Sequence, residues 1–584
     1  MRKLSPSIKV PAGKTPRLLS LLKPYRLMIV ILILLALLSN GVNLVIPKLI
    51  SFGIDSYTQK GVMMNHLITD FFGAALAIFI FTYLQSIVQT FVSEKVARDL
   101  RTSLAGKISS QSFQFIQQIN PGKLLTNLTS DIDSVKMFVS LAVVSITSSV
   151  FIIVGASILL LTINWKLALA VLTIIPIIAI AFFTVLRKVR VLFRKSREVI
   201  DWLNKVINES ILGSALIRVL NSQQNEYDKF LKANKEALSL GLSIVRLFAG
   251  LIPIITFVAN LAMVTILALG GHFVIAGTMT LGDFAAFNSY LALLIFPIIV
   301  IGFMSNIIAQ ASASYQRIHQ ILHSPVTSES GTLRQTINGD ISIEHLTLTF
   351  GQKPALRDIS LHIPAGSRTA IIGPTASGKS QVFNLLTGLI KADKGRIAYD
   401  GVEIMEYDRG NLLGQIGLVF QDSIIFNMSL KENISFNELV TDQSMLRAIN
   451  TAELQDFINT LPDKLETIVS ERGTSLSGGQ KQRIMLARAL AINPRILLLD
   501  DFTARVDSGT EQKILNNVQI NYPGLTLVSI TQKISSVQYF DQIILLMEGE
   551  VIATGTHDKL MQSCPEYIQI YQSQQSTSLY ELQS

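Results

Sequence analysis

Six long apolar stretches with few charged residues dominate the first half of the chain. Each is close to the roughly 20 residues that a helix needs to cross about 30 Å of hydrocarbon. We therefore predict six membrane spans at Leu27–Ile46, Phe71–Val92, Val139–Ile163, Leu167–Leu186, Leu247–Gly270 and Phe284–Ile307. Buried helices of a soluble protein rarely give six such stretches. The first stretch begins too late and is too long for a cleavable signal peptide.

From Gly339 onward the pattern changes to short apolar strands that alternate with helices and glycine-rich turns. This alternation is typical of an α/β domain with a parallel sheet. We expect five segments: a cytosolic N-terminal segment at 1–26, a membrane domain of six helices at 27–325, a linker at 326–338, the α/β domain at 339–573 and a C-terminal tail at 574–584.

Charge indicates the orientation of the membrane domain. The net charge is +9, yet only 16% of the residues are charged. Much of the basic excess lies in the long loops within 94–136 and 187–246. By the positive-inside rule these loops, the N-terminus and everything after Arg317 are expected in the cytosol. Membrane lipid explains this excess, so no nucleic-acid partner is expected. The single cysteine, Cys564, excludes an intramolecular disulfide.

The long loops lack clustered glycine or proline, so we expect spans two to five to continue as helices beyond the bilayer. In particular, one helix is expected from Phe71 to about Gln117. Uncharged polar side chains within the spans either line a substrate cavity or form interhelical hydrogen bonds. They are Asn40, Asn43, Gln85, Gln89, Asn260, Asn288 and Tyr290. Asp283, near the end of a span, is interpreted as a solvated loop residue.

A glycine-rich segment after an apolar strand fits the P-loop pattern G-x-x-x-x-G-K-[ST]. The segment consists of Gly373, Pro374, Thr375, Ala376, Ser377, Gly378, Lys379 and Ser380. Its backbone N–H groups and the following helix N-terminus can bind phosphates. Lys379 is expected to reach the β- and γ-phosphates, and Ser380 to ligate magnesium. Asp500 ends a second apolar strand, 496–500, and is expected to hold magnesium directly or through water. ATP and Mg²⁺ are therefore the expected cofactors.

Between these motifs lies a segment that resembles the signature motif of ATP-binding cassette (ABC) proteins. It consists of Leu476, Ser477, Gly478, Gly479 and Gln480. The resemblance covers essentially the whole chain and implies an ABC exporter with the type I exporter (type IV) fold. It implies that Gln421 senses the metal and γ-phosphate, that Phe350 stacks on adenine, and that Asp507 is the D-loop aspartate. It also places Glu471 in the coupling segment before the signature, and puts 122–131 and 209–213 near the coupling helices.

The same resemblance implies that two chains assemble, because each signature closes over ATP held by the other chain's P-loop. Two residues depart from the family pattern. Asp501 stands where a glutamate normally acts as general base, and Gln532 stands where a switch histidine is normal. Aspartate is shorter by one methylene, and an amide cannot carry the proton of an imidazole. The combination resembles the degenerate-site subunit of heterodimeric multidrug exporters.

We therefore expect ATP-driven export of amphipathic small molecules, multidrug or lipid-like, across a bacterial plasma (inner) membrane. The expected partners are membrane lipid, the transported compound and a second, different half-transporter with a complete catalytic site. Three alternatives stay open: a dedicated peptide or lipid exporter, a homodimeric exporter, and an ATP-gated channel or regulatory subunit.

Overall fold

The computed structural model describes residues 18–58, 64–325, 331–350, 353–470, 473 and 475–581. The described residues form two compact units. The first unit comprises residues 18–110 and 119–324, apart from the gap at 59–63. The second comprises residues 325–581, with the gaps given above, and also the segment 111–118 from the first half of the chain.

Six helical segments of the first unit are long and apolar enough to cross a membrane, as predicted. We call them spans 1 to 6 in chain order. They are Leu18–Thr58, His66–Ser109, Pro121–Ile163, Trp165–Leu212, Gln223–Ile275 and Leu281–Leu322. Each has at least 41 residues, about twice the length that the hydrocarbon requires. All six spans therefore extend well beyond their apolar cores, including spans 1 and 6.

The predicted single helix from Phe71 to about Gln117 is wrong. The helix of span 2 ends at Ser109, and a separate short helix, Phe113–Ile119, follows. Two serines at the break bond to the preceding turn: the Ser109 hydroxyl donates to the Gly106 carbonyl, and the Ser110 hydroxyl to that of Lys107. Ser86 and Ser93 form similar bonds within span 2 where the helix continues, so these bonds accompany the break and do not define it.

Polar side chains within the first unit tie spans to one another. Asn40 of span 1 donates to the Ser148 hydroxyl of span 3 at 2.9 Å, and the Tyr290 hydroxyl of span 6 donates to the Leu44 carbonyl at 2.8 Å. Interhelical bonding thus accounts for both of these predicted polar residues. The interpretation of Asp283 as a loop residue is wrong. It lies in the first turn of span 6, where its carboxylate accepts from Lys48 and from Ser51.

The second unit is an α/β domain with two sheets, which agrees with the predicted fold class. The strands are β1 Ile341–Phe350, β2 Lys353–Ile363, β3 Arg368–Ile372, β4 Lys394–Tyr399, β5 Val402–Glu403, β6 Ile416–Val419, β7 Ile496–Asp500, β8 Thr526–Ile530, β9 Gln542–Met547 and β10 Glu550–Gly555. One sheet is antiparallel with the order β2-β1-β4-β5. The other has the order β10-β9-β3-β8-β7-β6 and is parallel except for β10.

The helices of this domain pack against the parallel sheet or against one another. They are α1 Lys379–Leu386, α2 Arg409–Leu413, α3 Leu430–Ile434, α4 Asp442–Thr451, α5 Gln455–Thr460, α6 Gly478–Ala491, α7 Ser508–Asn521, α8 His557–Ser563 and α9 Pro565–Glu581. Strands β7 and β8 are buried along their whole length. This is expected for central strands with both faces covered. Because β3, β8 and β7 are neighbours, the loops that follow them meet at one edge of the sheet.

Candidate functional site

The predicted P-loop connects β3 to α1, in the strand–loop–helix arrangement that the motif requires. Gly378 lies just before α1 with φ 98°, a conformation that favours glycine. A Cβ at this position would also come within 2.7 Å of the Ala355 carbonyl oxygen. The loop therefore needs glycine there, and it leaves the N-terminus of α1 open to an anion.

The Lys379 ammonium lies over this loop. It donates to the carbonyls of Gly373 and Pro374 at 2.8 and 2.7 Å, and approaches the Ser377 hydroxyl at 3.3 Å. Burial lowers the pKa of Lys379, while the charges of Asp500 and Asp501 act in the opposite direction. A buried ammonium this close to backbone amides is well placed to attract phosphate oxygens.

Ser380 and Asp500 meet between the P-loop helix and the end of β7. The Ser380 hydroxyl donates to Asp500 Oδ1 at 3.3 Å. Burial raises the pKa of Asp500, because the charged carboxylate loses water. A hydroxyl beside a carboxylate is a donor set that fits Mg²⁺, which prefers oxygen ligands and keeps several of its waters. These two residues therefore fit the metal that the P-loop implies.

One cavity collects most of the predicted site residues. It is lined by Phe350, Ala355, Thr375, Ala376, Ser377, Gly378, Lys379, Ser380, Gln381, Gln421, Asp500, Asp501, Ile530, Thr531 and Gln532. The two positions that depart from the family pattern, Asp501 and Gln532, thus share a cavity with the P-loop lysine. Phe350 is about half exposed at the end of β1.

Asp501 has a constrained backbone. Its φ is 49°, and its N–H donates to the Ile530 carbonyl at 2.9 Å, which ties the end of β7 to the end of β8. Aspartate is one of the few non-glycine residues that adopts this left-handed region readily. The backbone at this position is therefore set by the sheet, and the length of the side chain decides how far its carboxylate reaches.

The signature motif forms the start of α6. Ser477 caps this helix reciprocally with Gln480: the Gln480 N–H donates to the Ser477 hydroxyl, and the Ser477 N–H to the Gln480 side chain. A Cβ at Gly479 would come within 2.9 Å of the Arg505 carbonyl oxygen. The five signature residues, all of them in the described part of the chain, are not among those lining the cavity.

Gly373, Pro374 and Asp507 also lie outside this cavity's lining. Asp507 caps α7, where its carboxylate accepts from the Thr510 N–H at 2.9 Å, and this bond lowers the pKa of Asp507. Glu471 lies outside the described residues.

Sequence reasoning missed three polar residues that hold the loops around the cavity. The Gln482 side chain of α6 donates to the backbone carbonyl of Gln421 at 3.3 Å. Arg488, also on α6, donates to the Ile424 carbonyl at 2.9 Å and stacks against two phenyl rings. Gln574 on α9 donates to the Gln532 carbonyl. A charged residue among apolar neighbours was a usable signal for Arg488. Gln574 gave no such signal.

Six spans joined to an α/β domain with a P-loop define an ATP-binding integral membrane protein with several spans. Two family models match the chain: ABC transporter transmembrane region over residues 29–298, and ABC transporter over residues 356–504. The chain is 33% identical over 562 residues to "Uncharacterized ABC transporter ATP-binding protein YfiB" of Bacillus subtilis (strain 168), which covers 95% of this chain and 98% of the relative. The chain belongs to the ABC transporter family.

Other relatives carry more specific descriptions. "Probable multidrug resistance ABC transporter ATP-binding/permease protein YheI" of the same organism is 31% identical, over 95% of this chain and 96% of the relative. "ATP-dependent lipid A-core flippase" of Syntrophus aciditrophicus (strain SB) is 29% identical, over 84% of this chain and 83% of the relative. A solved structure of a bacterial Atm1-family ABC exporter with ATP bound matches with a TM-score of 0.77 at 23% identity. It covers 94% of this chain and 98% of that chain, and it supports the exporter fold.

Proposed function

We propose that this chain is the slow half of a heterodimeric ATP-driven exporter of amphipathic small molecules. One observation carries the proposal: Asp501 and Gln532 line the same cavity as Lys379, Ser380 and Asp500. Both departures from the family pattern therefore lie where they act on one bound ATP. The ABC domain makes the chain an ATP-hydrolysing transporter by class. Its own site is proposed to bind ATP normally and to hydrolyse it slowly.

The cavity supports a defined placement of ATP. The P-loop amides and Lys379 hold the phosphates, and the exposed ring of Phe350 stacks on adenine. Ser380, Asp500 and Gln421 hold Mg²⁺, which neutralises phosphate charge when it is bound. Every residue in this placement is of the type that the family pattern expects or, for Phe350, keeps an aromatic face. Binding of ATP at this site is accordingly expected to be normal.

Hydrolysis is expected to be slow. A general base has to reach the attacking water, and the Asp501 carboxylate falls short of a glutamate's by about 1–1.5 Å. A displacement of about 1 Å can reduce a rate about 100-fold. Gln532 can donate or accept a hydrogen bond near the γ-phosphate, but its amide carries no positive charge. The two changes weaken different parts of the same step, so together they favour ATP that is bound and cleaved slowly.

The signature motif supports the dimer. Ser477 and the N-terminus of α6 are capped and ordered, yet the signature does not line this chain's own cavity. Such a motif is free to complete the ATP site of another chain. We propose that the partner is a different half-transporter, which supplies the glutamate and histidine that are replaced at Asp501 and Gln532.

The proposed substrate class rests on the relatives. Two relatives are described as a multidrug resistance transporter and a lipid A-core flippase. Drugs of this kind and lipids share an amphipathic character. We propose that this chain handles compounds of that class at a bacterial inner membrane, with its α/β domain in the cytosol.

The test is steady-state ATP turnover by the purified chain in lipid, alone and together with a candidate partner half-transporter. We expect little turnover from the chain alone and drug-stimulated turnover from the mixture. The chain carrying both Asp501→Glu and Gln532→His should hydrolyse ATP at least about 10-fold faster on its own. Turnover by the unmodified chain alone at the rate of this double variant would refute the slow site and favour a homodimeric exporter.

A further inference from the structure

The last helix of the chain, α9, holds the loop that carries Gln532. We propose that Gln574 on α9 is a positioning residue that clamps the backbone of this loop and so sets where the side chain of residue 532 lies. The proposal rests on the proposed function, because it assumes that Gln532 faces the γ-phosphate. It adds a control element that lies outside the nucleotide cavity.

The clamp consists of two hydrogen bonds that one side chain forms, one as donor and one as acceptor. Gln574 Nε2 donates to the Gln532 carbonyl at 2.6 Å, and the Ile534 N–H donates to Gln574 Oε1 at 3.0 Å. Only one orientation of the amide satisfies both bonds, because the carbonyl needs a donor and the N–H needs an acceptor. The side chain therefore bonds to the loop backbone on both sides of Lys533.

The loop that carries Gln532 contains no regular strand or helix of its own. Strand β8 ends at Ile530, and the next strand begins at Gln542. Between them, the Lys533 N–H donates to the Thr531 hydroxyl, and the Val537 N–H to the Ile534 carbonyl. The loop is also anchored elsewhere: the Thr531 N–H donates to the Ile371 carbonyl of β3, and Ile534 and Val537 are buried in the core of the domain. The two bonds to α9 join it to a separate element.

Helix α9 is itself firmly attached to the α/β domain. Tyr567 is fully buried, and its hydroxyl bonds to His557 Nδ1 at 2.7 Å. Tyr571 packs edge-on against the same histidine ring, with ring centres 5.1 Å apart. Gln574 follows Tyr571 by three residues and so lies on the same side of the helix. A shift of α9 is therefore transmitted through Gln574 to the backbone of residue 532.

The clamp acts on the backbone, so it does not depend on which side chain occupies position 532. Displacements of about 1 Å at a reacting centre can cost about 100-fold in rate. A clamp that fixes the carbonyl of residue 532 should therefore affect the rate of hydrolysis more than the binding of ATP.

The first test measures amide hydrogen exchange at Ile534 in the full chain in lipid nanodiscs. Gln574→Leu removes both bonds, and the amide should exchange about 10-fold faster. The matched control is Gln575→Leu, the same change one residue later, where the side chain donates to the Tyr571 hydroxyl of its own helix. Unchanged exchange in Gln574→Leu, or equal acceleration in both variants, would overturn the clamp.

The second test places the same variants in the chain that carries Asp501→Glu and Gln532→His. Gln574→Leu should lower kcat for ATP about 10-fold and leave KM within about twofold, whereas Gln575→Leu should change neither. Gln574→Glu keeps the acceptor for Ile534 but loses the donor to residue 532. It should therefore keep slow exchange at Ile534 and still lose turnover. An equal loss of kcat in the two leucine variants would refute positioning by Gln574.

The two tests separate this inference from the proposed function. If the Asp501→Glu, Gln532→His chain hydrolyses ATP no faster than the unmodified chain, the slow-site proposal fails. Hydrogen exchange at the Ile534 amide then still tests whether Gln574 holds the loop, because this measurement needs no ATP hydrolysis.

Discussion

The Ser380 hydroxyl and the Asp500 carboxylate lie 3.3 Å apart, at the point where the P-loop helix meets the end of β7. The pairing follows from the sheet. Strand β3 pairs with β8, and β8 pairs with β7, so Ile371 and Asp500 both lie opposite Ile530. A motif near residue 375 and a carboxylate at residue 500 thereby meet at one edge. The same edge receives Asp501 and Gln532.

This pairing predicts how magnesium affects nucleotide binding. In Ser380→Ala the metal loses one oxygen ligand, so Mg²⁺ should no longer tighten binding of a fluorescent ATP analogue as it does in the unmodified chain. The ratio of the affinities for the ATP analogue with and without Mg²⁺ should fall about 10-fold, the size of effect that loss of one polar contact to a charged group gives. Titrations with Mg²⁺ and with a chelator measure it.

The control for this variant is Ser508→Ala, a serine at the first position of α7 that does not line the cavity. A Ser380→Ala chain that kept the full response to Mg²⁺ would contradict the placement of the metal.

The signature motif predicts a separation between binding and turnover. Ser477→Ala should leave ATP affinity of this chain's own site within about twofold and lower turnover of the assembled dimer at least about 10-fold. The reason is that, in the proposed dimer, the hydroxyl acts on the other chain's nucleotide. Ser429→Ala is the matched control, because Ser429 forms the same reciprocal cap on α3. Each change costs roughly 1 kcal/mol of helix capping. Equal turnover in the two variants would refute the role of Ser477.

The contacts of Arg488 predict that this residue stabilises the α/β domain next to the cavity. It donates to the carbonyls of Ile424 and Asn433, and burial lowers its pKa to about 10. Arg488→Leu should destabilise the α/β domain by about 2–4 kcal/mol, because it leaves these carbonyls without their charged donor. Thermal unfolding with and without ATP measures it. Arg396→Leu, at an exposed arginine on β4, should cost less than about 1 kcal/mol. Similar losses in both variants would contradict the bracing role of Arg488.

An ion pair within the membrane unit predicts coupling between two spans. Arg317 of span 6 donates to both carboxylate oxygens of Asp131 in span 3, and Ser314 donates to the same carboxylate. The carboxylate is buried while the arginine is partly exposed. Asp131→Ala and Arg317→Ala should each destabilise the protein by about 1–3 kcal/mol, less than for a fully buried pair.

A double-variant cycle checks this pair. The Asp131→Ala, Arg317→Ala chain should lose clearly less than the sum of the two single losses, because neither group is then left unpaired. Strict additivity in thermal unfolding in detergent would show that the two residues are not coupled.

Local pattern was sufficient to predict the spans and the nucleotide motif. Six apolar runs and the segment Gly373–Ser380 carry their signal within a few consecutive residues, and the structure forms six spans and a P-loop between a strand and a helix. The end of span 2 at Ser109 was missed. The local pattern carried no signal for it, because the segment 103–112 contains neither proline nor clustered glycine.

Long-range contacts explain what the sequence could not show. Asp283 looked like a loop residue, but it pairs with Lys48, which is far away in the chain. The contact of Gln574 with residue 532 depends on where α9 lies beside the loop that follows β8, and one of several glutamines in a polar helix gives no sign of it. The helix Pro565–Glu581 also runs through the point where a separate tail was expected to begin.

We propose that ATP at this chain's own P-loop is bound but cleaved slowly. The most direct measurement is the chemical state of the nucleotide that the purified chain in lipid retains after incubation with labelled ATP and Mg²⁺. We expect the retained nucleotide to stay mainly ATP in the unmodified chain and to become mainly ADP in the chain with Asp501→Glu and Gln532→His. Retained ADP in the unmodified chain, formed as fast as in that double variant, would contradict it.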